Sequence, residues 1–419
     1  MTRFAFRTQW FLTLAILLSA MPAAAQQHMV HDDNIHTLQV VAGDDWLSPP
    51  VIRLGGRQRI NIAFDDFSHV YRRLAYKVQH CEADWRTSEQ LFESDYIEGF
   101  HSGNIIDDVT ESFNTNTLYT HYRFSVPNDQ LQLKMSGNYR VTIYDDNDDQ
   151  RPVATACFMV VEPAMGVTLG VTTNTDIGIN SYYQQVDMDL NYGPLRVVQP
   201  EEQLRTVLTQ NQQWHDARIN APWQYAKSDG LRWEHCRPYI FNGGNEYRKF
   251  EILDVQTAAL HVDNTRWDGT NYIATLDIDA PRHNYVYDED ANGAFYVRNR
   301  DNIENDRTCE YLLINFRLPA THPYDGQVFV SGQWTTGGLS PRYQLQYDEE
   351  KHLYHTTLLL KQGYYSYHYL LQQPNGSTAP VPTEGNYFQT QNNYQAYVYY
   401  RELGGRTDRL VGYAQISTR

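Results

Sequence analysis

The sequence predicts an all-β protein made of two to three tandem antiparallel β-sandwich domains. Apolar residues alternate with polar ones along many short segments, as at Ile60, Ile62 and Phe64, and a period of two places one side of each segment in a core. Clusters such as "LGGRQ", "SGN" and "DDNDDQRP" separate these segments and are typical of turns. No long stretch carries the apolar stripe of an amphipathic helix.

Residues 1–25 predict a secretory signal peptide. Arg3 and Arg7 lie beside an apolar run from Trp10 to Leu18, and Ala23-Ala24-Ala25 forms a small-residue cleavage site. The run is shorter than the roughly 20 apolar residues that span a bilayer as a helix. We therefore expect an exported, soluble chain that begins at residue 26.

The predicted mature chain is strongly acidic. Removing Arg3 and Arg7 with the leader takes the net charge from −16 to −18. Such a surface repels nucleic acid and anionic lipid head groups, so neither is expected as a partner.

The chain has four cysteines, and no two of them are close in the sequence. They lie more than 70 residues apart without a C-x-x-C pair, at Cys81, Cys157, Cys236 and Cys309. This spacing argues against a zinc site. Export permits a disulfide, but each cysteine lies beside strand-like sequence, which favours buried free thiols. Any pairing stays open.

Turn-rich segments divide the mature chain into three predicted domains, at 26–165, 166–320 and 321–419. The first ends near Glu162-Pro163, where a proline ends ladder pairing, and "RLPATHPYDG" precedes the third. In the third, "VFVSGQW" followed by "LLLKQGYYSYHYLL" is similar in order to the immunoglobulin-like starch- and glycogen-binding modules. That resemblance implies an immunoglobulin-like, E-set-like sandwich.

The tyrosine-rich segment "GYYSYHYLL" predicts a strand with two unlike faces. The face expected to lie in the core carries Tyr365, Tyr367, Tyr369 and Leu371. The face expected to be wetter carries Tyr364, Ser366, His368 and Leu370.

Catalytic motifs are absent from the sequence, so no catalytic or cofactor-binding residue and no metal site is assigned. Two alternatives remain. Trp334 could stack on a sugar ring in a glycan-binding protein, and two carboxylates brought together by the fold would suffice for a polysaccharide hydrolase. The loop Asp288–Gly293, "DEDANG", has the oxygen spacing of a calcium loop, but Asn299 stands where a glutamate is required. A polar turn explains it more simply.

Several motifs in the first predicted domain resemble the type 9 secretion system plug protein family of the Bacteroidetes. They are His80-Cys81, Asp84-Trp85, Gly99-Phe100, Asn114-Thr115, "YTHY" at 119–122, Pro127-Asn128 and "SGNY" at 136–139. The similarity continues through "QNQQW", "GGNEYRKFEI" and "TEGNYFQTQNNYQAYVYYR", so it spans essentially the whole mature chain. Gln391 departs from the glutamate expected there.

The resemblance implies a periplasmic, non-catalytic protein at the inner face of the outer membrane, which is not itself inserted in the membrane. Its partner would be the giant translocon barrel, whose periplasmic mouth it would close while no cargo passes. The polar and aromatic stretch 114–122 is the candidate partner interface, on the expectation that it is exposed. The alternative is that Tyr119 and Tyr122 pack locally and Asn114 caps a turn. Its candidate residues are Asn114, Thr115, Tyr119, His121 and Tyr122.

Overall fold

A computed structural model describes residues 28–336 and 339–418 of the 419-residue chain. The predicted signal peptide therefore lies outside the described residues. Strands dominate, and the α-helices are single turns: α1 (Glu93–Tyr96), α2 (Pro200–Gln203) and α3 (Asn305–Thr308). The prediction of an all-β protein with antiparallel sheets is confirmed.

The first part of the chain contains β1 (Met29–Val30), β2 (Ile35–Ala42), β3 (Val51–Arg53), β4 (Ile60–Asp66), β5 (Leu74–Cys81), β6 (Ile97–Gly99), β7 (Asn104–Ile105), β8 (Asp108–Glu111), β9 (Thr120–Val126), β10 (Leu131–Leu133), β11 (Gly137–Asp145) and β12 (Arg151–Val161). We call these strands the first sandwich. The sheet β1-β12-β11-β5-β7 faces the sheet β2-β4-β9-β8 across one core. Ile60, Ile62 and Phe64 of β4 are fully buried there, as their alternation predicts.

The next strands are β13 (Gly166–Thr172), β14 (Asn174–Thr175), β15 (Gly178–Ile179), β16 (Tyr183–Asn191), β17 (Leu204–Gln210), β18 (Arg218–Ile219), β19 (Tyr225–Lys227), β20 (Gly230–Trp233) and β21 (Ile240–Asn242). The remaining strands are β22 (Arg248–Ile252), β23 (Val262–Trp267), β24 (Tyr272–Leu276), β25 (Phe295–Val297), β26 (Tyr311–Pro319), β27 (Gln327–Ser331), β28 (Gln346–Asp348), β29 (Leu353–Lys361), β30 (Gly363–Gln372), β31 (Thr378–Pro380), β32 (Asn393–Tyr400) and β33 (Arg409–Ser417).

Strands β22–β31 form what we call the third sandwich. One sheet is centred on β30, which pairs with β22, β25, β27 and β31, and the other has the order β23-β24-β26-β29-β28. The middle sandwich consists of β13–β21 together with the last two strands, β32 and β33. Its sheet β13-β16-β20-β19 packs on the sheet β18-β17-β32-β33.

This pairing differs from the predicted segments 166–320 and 321–419. Residues 248–319 share a core with β27–β31, and β32 returns to pair with β17 along its whole length. The segment "RLPATHPYDG" begins within β26, which pairs with β29 as far as Pro319. It leads to β27 of the same sandwich and therefore does not link two domains. The alternation of apolar and polar residues identifies strands but not the strands with which they pair. The sequence therefore could not predict that β32 and β33 belong to the middle sandwich. We propose the three sandwiches as the domains of the protein.

Strand β30 differs from its prediction on one face. Tyr365, Tyr367 and Tyr369 are at most 2% exposed, as expected. On the opposite face Tyr364 is half-buried, but Ser366, His368 and Leu370 are buried. His368 stacks on Tyr247 with 4.5 Å between the ring centroids, and the Ser366 hydroxyl accepts a hydrogen bond from the Gly293 amide. Neighbouring loops and the middle sandwich cover that face, which the sequence pattern could not reveal.

Candidate functional site

The predicted interface residues lie on the loop between β8 and β9 and at the start of β9. Asn114 is exposed and Thr115 is half-buried, whereas Tyr119, His121 and Tyr122 are at most 7% exposed. The expectation that the whole stretch is exposed is therefore wrong for these three. Tyr122 packs on Phe64 within the first sandwich, and the other two side chains point toward the third sandwich.

The β8–β9 loop is fixed to the third sandwich by its backbone. The Glu310 carboxylate accepts hydrogen bonds from the amides of Asn116 and Thr117, and the Tyr119 hydroxyl donates to the Cys309 carbonyl at 2.8 Å. Phe113 donates its amide to the Arg307 carbonyl at 2.8 Å. The loop conformation therefore depends on residues about 190 positions later in the chain.

Beneath this loop lies a buried ion pair between Asp65 of β4 and Lys361 of β29. The Lys361 ammonium donates to the Asp65 carboxylate at 2.6 Å, and both side chains are 1% exposed. Tyr311 donates its hydroxyl to the same carboxylate at 2.5 Å, and His121 Nδ1 lies 2.7 Å from it. The ammonium also lies 4.1 Å from the centre of the Tyr119 ring.

The electrostatics of this cluster favour the ionised carboxylate. Burial alone would raise the pKa of Asp65, but Lys361 and His121 outweigh it and lower that pKa below its ordinary value. Burial and the Asp65 charge raise the pKa of the Tyr311 hydroxyl, which stays protonated as a donor. The cluster thus joins the first and third sandwiches through a charge pair that water does not screen.

A second junction joins the first sandwich to β32 and β33 of the middle sandwich. Trp85 is 1% exposed, and its ring meets Trp214 edge to face at 5.8 Å. Tyr399 donates its hydroxyl to Asn138 at 2.8 Å, and the Arg401 guanidinium donates to the Glu82 carboxylate at 2.6 Å. Apolar and polar contacts are therefore combined at this junction.

The middle and third sandwiches are joined by two chain segments that run side by side. The amide of Tyr387 donates to the Gly244 carbonyl at 2.7 Å, and Asn392 Nδ2 donates to the Gly243 carbonyl at 2.8 Å. A Cβ at Gly243 would lie 2.1 Å from the Tyr387 carbonyl oxygen. Only glycine allows this close approach of the two segments.

The candidate calcium loop is held by a lysine. Lys249 donates its ammonium to the Asp288 carboxylate at 2.6 Å and also to the Glu289 carbonyl. Asp290 accepts hydrogen bonds from the amides of Tyr247 and Asn292. Among residues 28–336 and 339–418, no group of three His, Cys, Asp or Glu side chains could hold a metal ion. These contacts favour the polar-turn interpretation of the loop.

Asp290 makes the stability of this loop depend on pH. Burial raises the pKa of its carboxyl from 3.8 to about 7. The folded protein therefore keeps a proton that the unfolded chain releases, and stability falls as the pH rises from about 4 to 7. We expect Asp290→Asn to remove up to about 1.4 kcal/mol per pH unit of that slope, the value for one proton. Urea titrations of both proteins at pH 4.5, 6 and 7.5 measure the difference, and parallel pH profiles would contradict the assignment.

Trp334, the residue chosen for sugar stacking, lies in the core of the third sandwich. It is 6% exposed, donates its indole N–H to the Ser366 carbonyl at 3.0 Å, and meets Tyr365 edge to face. A ring in this position is not free to stack on a sugar. The glycan-binding alternative therefore loses its proposed residue.

The hydrolase alternative requires two carboxylates available for chemistry. One buried pair in the third sandwich, Asp279 and Glu384, is held by Arg248, which donates to both carboxylates at 3.1 and 3.0 Å. Arg282 donates to Glu384 as well. These carboxylates form a structural ion-pair network.

The cysteine thiols lie inside the protein. Cys81, Cys236 and Cys309 are free and buried, and burial raises the pKa of the Cys81 and Cys309 thiols to about 12. Protonated thiols of this kind are poor nucleophiles. Cys157 is buried in the same apolar cluster as Cys81.

Sequence reasoning missed Asp65, Glu310 and Lys361, although these residues organise the site. The sequence contained one signal, a charged residue next to apolar strand residues. Asp65 follows the core residue Phe64 and so lies on the outer face of β4, and Lys361 follows the apolar run Leu358–Leu360. A charge beside a core strand normally indicates a solvated face. Only the packing of the third sandwich on that face makes the pair buried.

Comparison with known proteins gives the chain a family. The model of the type 9 secretion system plug protein 1st domain matches residues 35–162, which lie within the first sandwich. The crystal structure of a hypothetical protein from Parabacteroides merdae ATCC 43184 is similar to this chain, with 35% sequence identity and a TM-score of 0.91. The similarity covers 94% of this chain and 100% of that one.

Other comparisons add nothing to this assignment. The crystal structure of collagen adhesin from S. aureus is 10% identical over 92% of each chain, with a TM-score of 0.12. No curated protein matches the sequence. In the described part of the chain, no helix has the length and apolar character needed to cross a membrane.

The plug family is a non-catalytic component of secretion, and its first-domain model matches the sandwich that carries the β8–β9 loop. Membership implies a role in type 9 secretion. The chain belongs to the type 9 secretion system plug protein family.

Proposed function

We propose that this protein is a periplasmic plug that binds the periplasmic mouth of the type 9 translocon barrel and closes the pore while no cargo passes. The observation that carries this proposal is the family match over residues 35–162. Under the proposal the chain is exported by its signal peptide, acts at the inner face of the outer membrane, and catalyses no reaction.

The junctions between the sandwiches support this proposal physically. A pore wide enough for folded cargo leaks solutes unless a body of fixed shape fills its mouth. Units joined only by a polar surface would be expected to move relative to one another. Here the first and middle sandwiches share a buried apolar cluster that includes Trp85, Tyr397 and Leu410, and the buried pair of Asp65 and Lys361 joins the first and third sandwiches. A preformed body of this kind binds without ordering its interface.

The contact with the barrel must be specific but reversible. We expect it to bury more than about 1,200 Å², with few buried anchors and a polar rim. Asn114, which is exposed, remains part of the proposed contact surface. Tyr119, His121 and Tyr122 would support that surface from beneath through the contacts described above.

Affinity purification from native outer membranes tests the function. The tagged protein, solubilised in mild detergent, is expected to recover one very large outer-membrane barrel at near-unit stoichiometry, identified by mass spectrometry. An unrelated exported protein with the same tag is the control for adventitious capture. Recovery of the protein free in the periplasm, without the barrel, would overturn the proposal.

A further inference from the structure

Strand β33 forms one edge of the middle sandwich, in the sheet β18-β17-β32-β33. Its first part is covered by the segment that enters this sandwich. The Leu410 carbonyl accepts a hydrogen bond from the Glu162 amide at 2.9 Å, and the Val411 carbonyl accepts one from the Met165 amide at 2.9 Å. After Met165 the entering segment passes to the other sheet, where β13 pairs with β16. Within the residues that the structure describes, no strand pairs with the outer edge of β33 over residues 413–417.

The hydrogen-bond pattern of the sheet shows which backbone groups lie on that edge. Just beyond the paired residues, the Thr418 amide donates to the Asn392 carbonyl at 2.9 Å. Hydrogen-bonded and non-hydrogen-bonded pairs alternate along an antiparallel ladder, and the register of β32 and β33 stays constant here. The N–H and C=O groups of Tyr413, Gln415 and Ser417 therefore point away from β32, toward the open side of the sheet.

The burial of β33 changes where the entering segment leaves it. Residues 410–412 are buried, whereas residues 413–417 are half-buried or exposed. Ala414 and Ile416 pack against the core of the middle sandwich but are only half-buried, although residues 394–400 of the neighbouring β32 are all buried. The second part of β33 therefore has the burial of a strand that lacks one neighbour.

This edge also lacks the features that protect an exposed strand from pairing. Natural edge strands commonly carry charged side chains, proline or a bulge that prevents the addition of another strand. Residues 412–418, "GYAQIST", include no charged residue and no proline, and the register shift between β32 and β33 lies before them. By contrast, the edge strand β8 carries the exposed residues Asp108 and Glu111. An edge of this kind is open to a further strand.

The groups on the edge determine the chemistry of its partner. Main-chain donors and acceptors at alternate residues pair with the backbone of an extended strand, as in β-augmentation. The half-buried Ala414 and Ile416 favour a strand that has apolar side chains at alternate positions. A second copy of this chain is disfavoured as the partner, because each copy carries a net charge of −16 and the copies repel one another.

We propose that residues 413–417 of β33 pair with an extended segment of the translocon barrel, whose alternate apolar side chains cover Ala414 and Ile416. This inference rests on the proposed function, which supplies the barrel as the partner, and it places a contact outside the matched residues 35–162. Each main-chain hydrogen bond contributes only modestly to binding, so a pairing this short stays reversible, as release of the plug requires.

Substitutions at Gln415 test the pairing in affinity purification from native outer membranes. Because the Gln415 N–H points away from β32, Gln415→Pro blocks strand addition without removing a hydrogen bond of the sheet. Gln415→Ala is the matched control, because it shortens the same side chain and keeps the N–H. We expect Gln415→Pro to recover at least tenfold less barrel than the wild type, and Gln415→Ala to recover as much as the wild type. Circular dichroism melts establish that both variants fold.

Hydrogen exchange of the wild type provides a second test that needs no substitution. Amide exchange in residues 412–418 should slow at least tenfold when the protein is bound to the barrel. Unchanged exchange in these residues, or equal recovery of the barrel by the two Gln415 variants, would overturn the pairing while leaving the plug function intact. If Gln415→Pro does not fold, the exchange measurement decides alone.

A photo-crosslinking amino acid at position 417 identifies the molecule that occupies the edge. We expect a covalent adduct with the barrel. An adduct with a second copy of this chain, or with cargo, would assign the edge to that molecule and overturn the inference. If the wild type itself recovers no barrel, the plug function fails and the pairing fails with it.

Discussion

Replacing Asp65 by asparagine is expected to lower the free energy of unfolding by about 3–5 kcal/mol. The change leaves the Lys361 ammonium, which is 1% exposed, without its counter-charge. Tyr311 and His121 lose a charged acceptor at the same time. Urea unfolding followed by circular dichroism measures the loss. Hydrogen exchange should rise in the β8–β9 loop and in residues 305–310, because the first and third sandwiches separate there.

Asp108 provides the matched control. It pairs with Arg123 at 3.1 Å, but both side chains are more than half exposed, so Asp108→Asn should cost only about 0–1 kcal/mol. The double change Asp65→Leu with Lys361→Met should restore most of the stability, since apolar residues of similar volume often replace a buried pair without loss. If Asp65→Asn were as mild as Asp108→Asn, the buried pair would not hold the junction.

The Asp65 carboxylate also determines how the stability of the protein changes at acidic pH. Because the folded pKa of Asp65 lies below its ordinary value of 3.8, its contribution to stability is complete above that value. The contribution disappears as the pH falls through the lowered pKa. Asp65→Asn should therefore cost most at neutral pH and least at strongly acidic pH.

Replacing Trp85 by alanine is expected to cost about 3–5 kcal/mol, the usual range for removing a large buried aromatic side chain. The indole is 1% exposed and fills the junction between the first and middle sandwiches against Trp214. Its backbone φ is +66°, which a bulky residue adopts only rarely. The packing of the ring therefore also holds this turn. Thermal unfolding measured by circular dichroism gives the loss.

Trp267 is the matched control, because it is the same residue type at 47% exposure. Trp267→Ala should change the free energy of unfolding by about 1 kcal/mol or less, since the ring is only partly removed from water. Equal melting temperatures for the two tryptophan variants would show that the first and middle sandwiches do not depend on this contact.

The sequence predicted the inner faces of the strands better than their outer faces. The alternation at Ile60, Ile62 and Phe64 identified core positions correctly, because a strand has a period of two wherever it lies. The same alternation predicted that the outer face of β30 is exposed to water, but Ser366 and His368 on that face are buried. Whether an outer face meets water depends on the packing of another sandwich, and no local pattern encodes that.

The candidate interface shows the same limit. The polar and aromatic character of residues 114–122 predicts an exposed surface, yet Tyr119 and His121 are buried. Their partners, Cys309 and Asp65, lie 190 and 56 positions away. The sequence motifs identified the family without revealing these contacts, because long-range contacts determine which motif residues are buried.

The return of β32 and β33 to the middle sandwich has a consequence for biogenesis. These strands follow the entire third sandwich in the chain, yet β32 pairs with β17 and its residues Tyr397 and Tyr399 pack beside Cys81 and Trp85 of the first sandwich. Non-local pairings of this kind form late in folding. A chain cleaved before Asn393 would leave the middle sheet incomplete and expose apolar surface on two sandwiches, which favours aggregation. The last two strands thus complete cores that much earlier segments begin, so only an intact chain is expected to reach a stable fold.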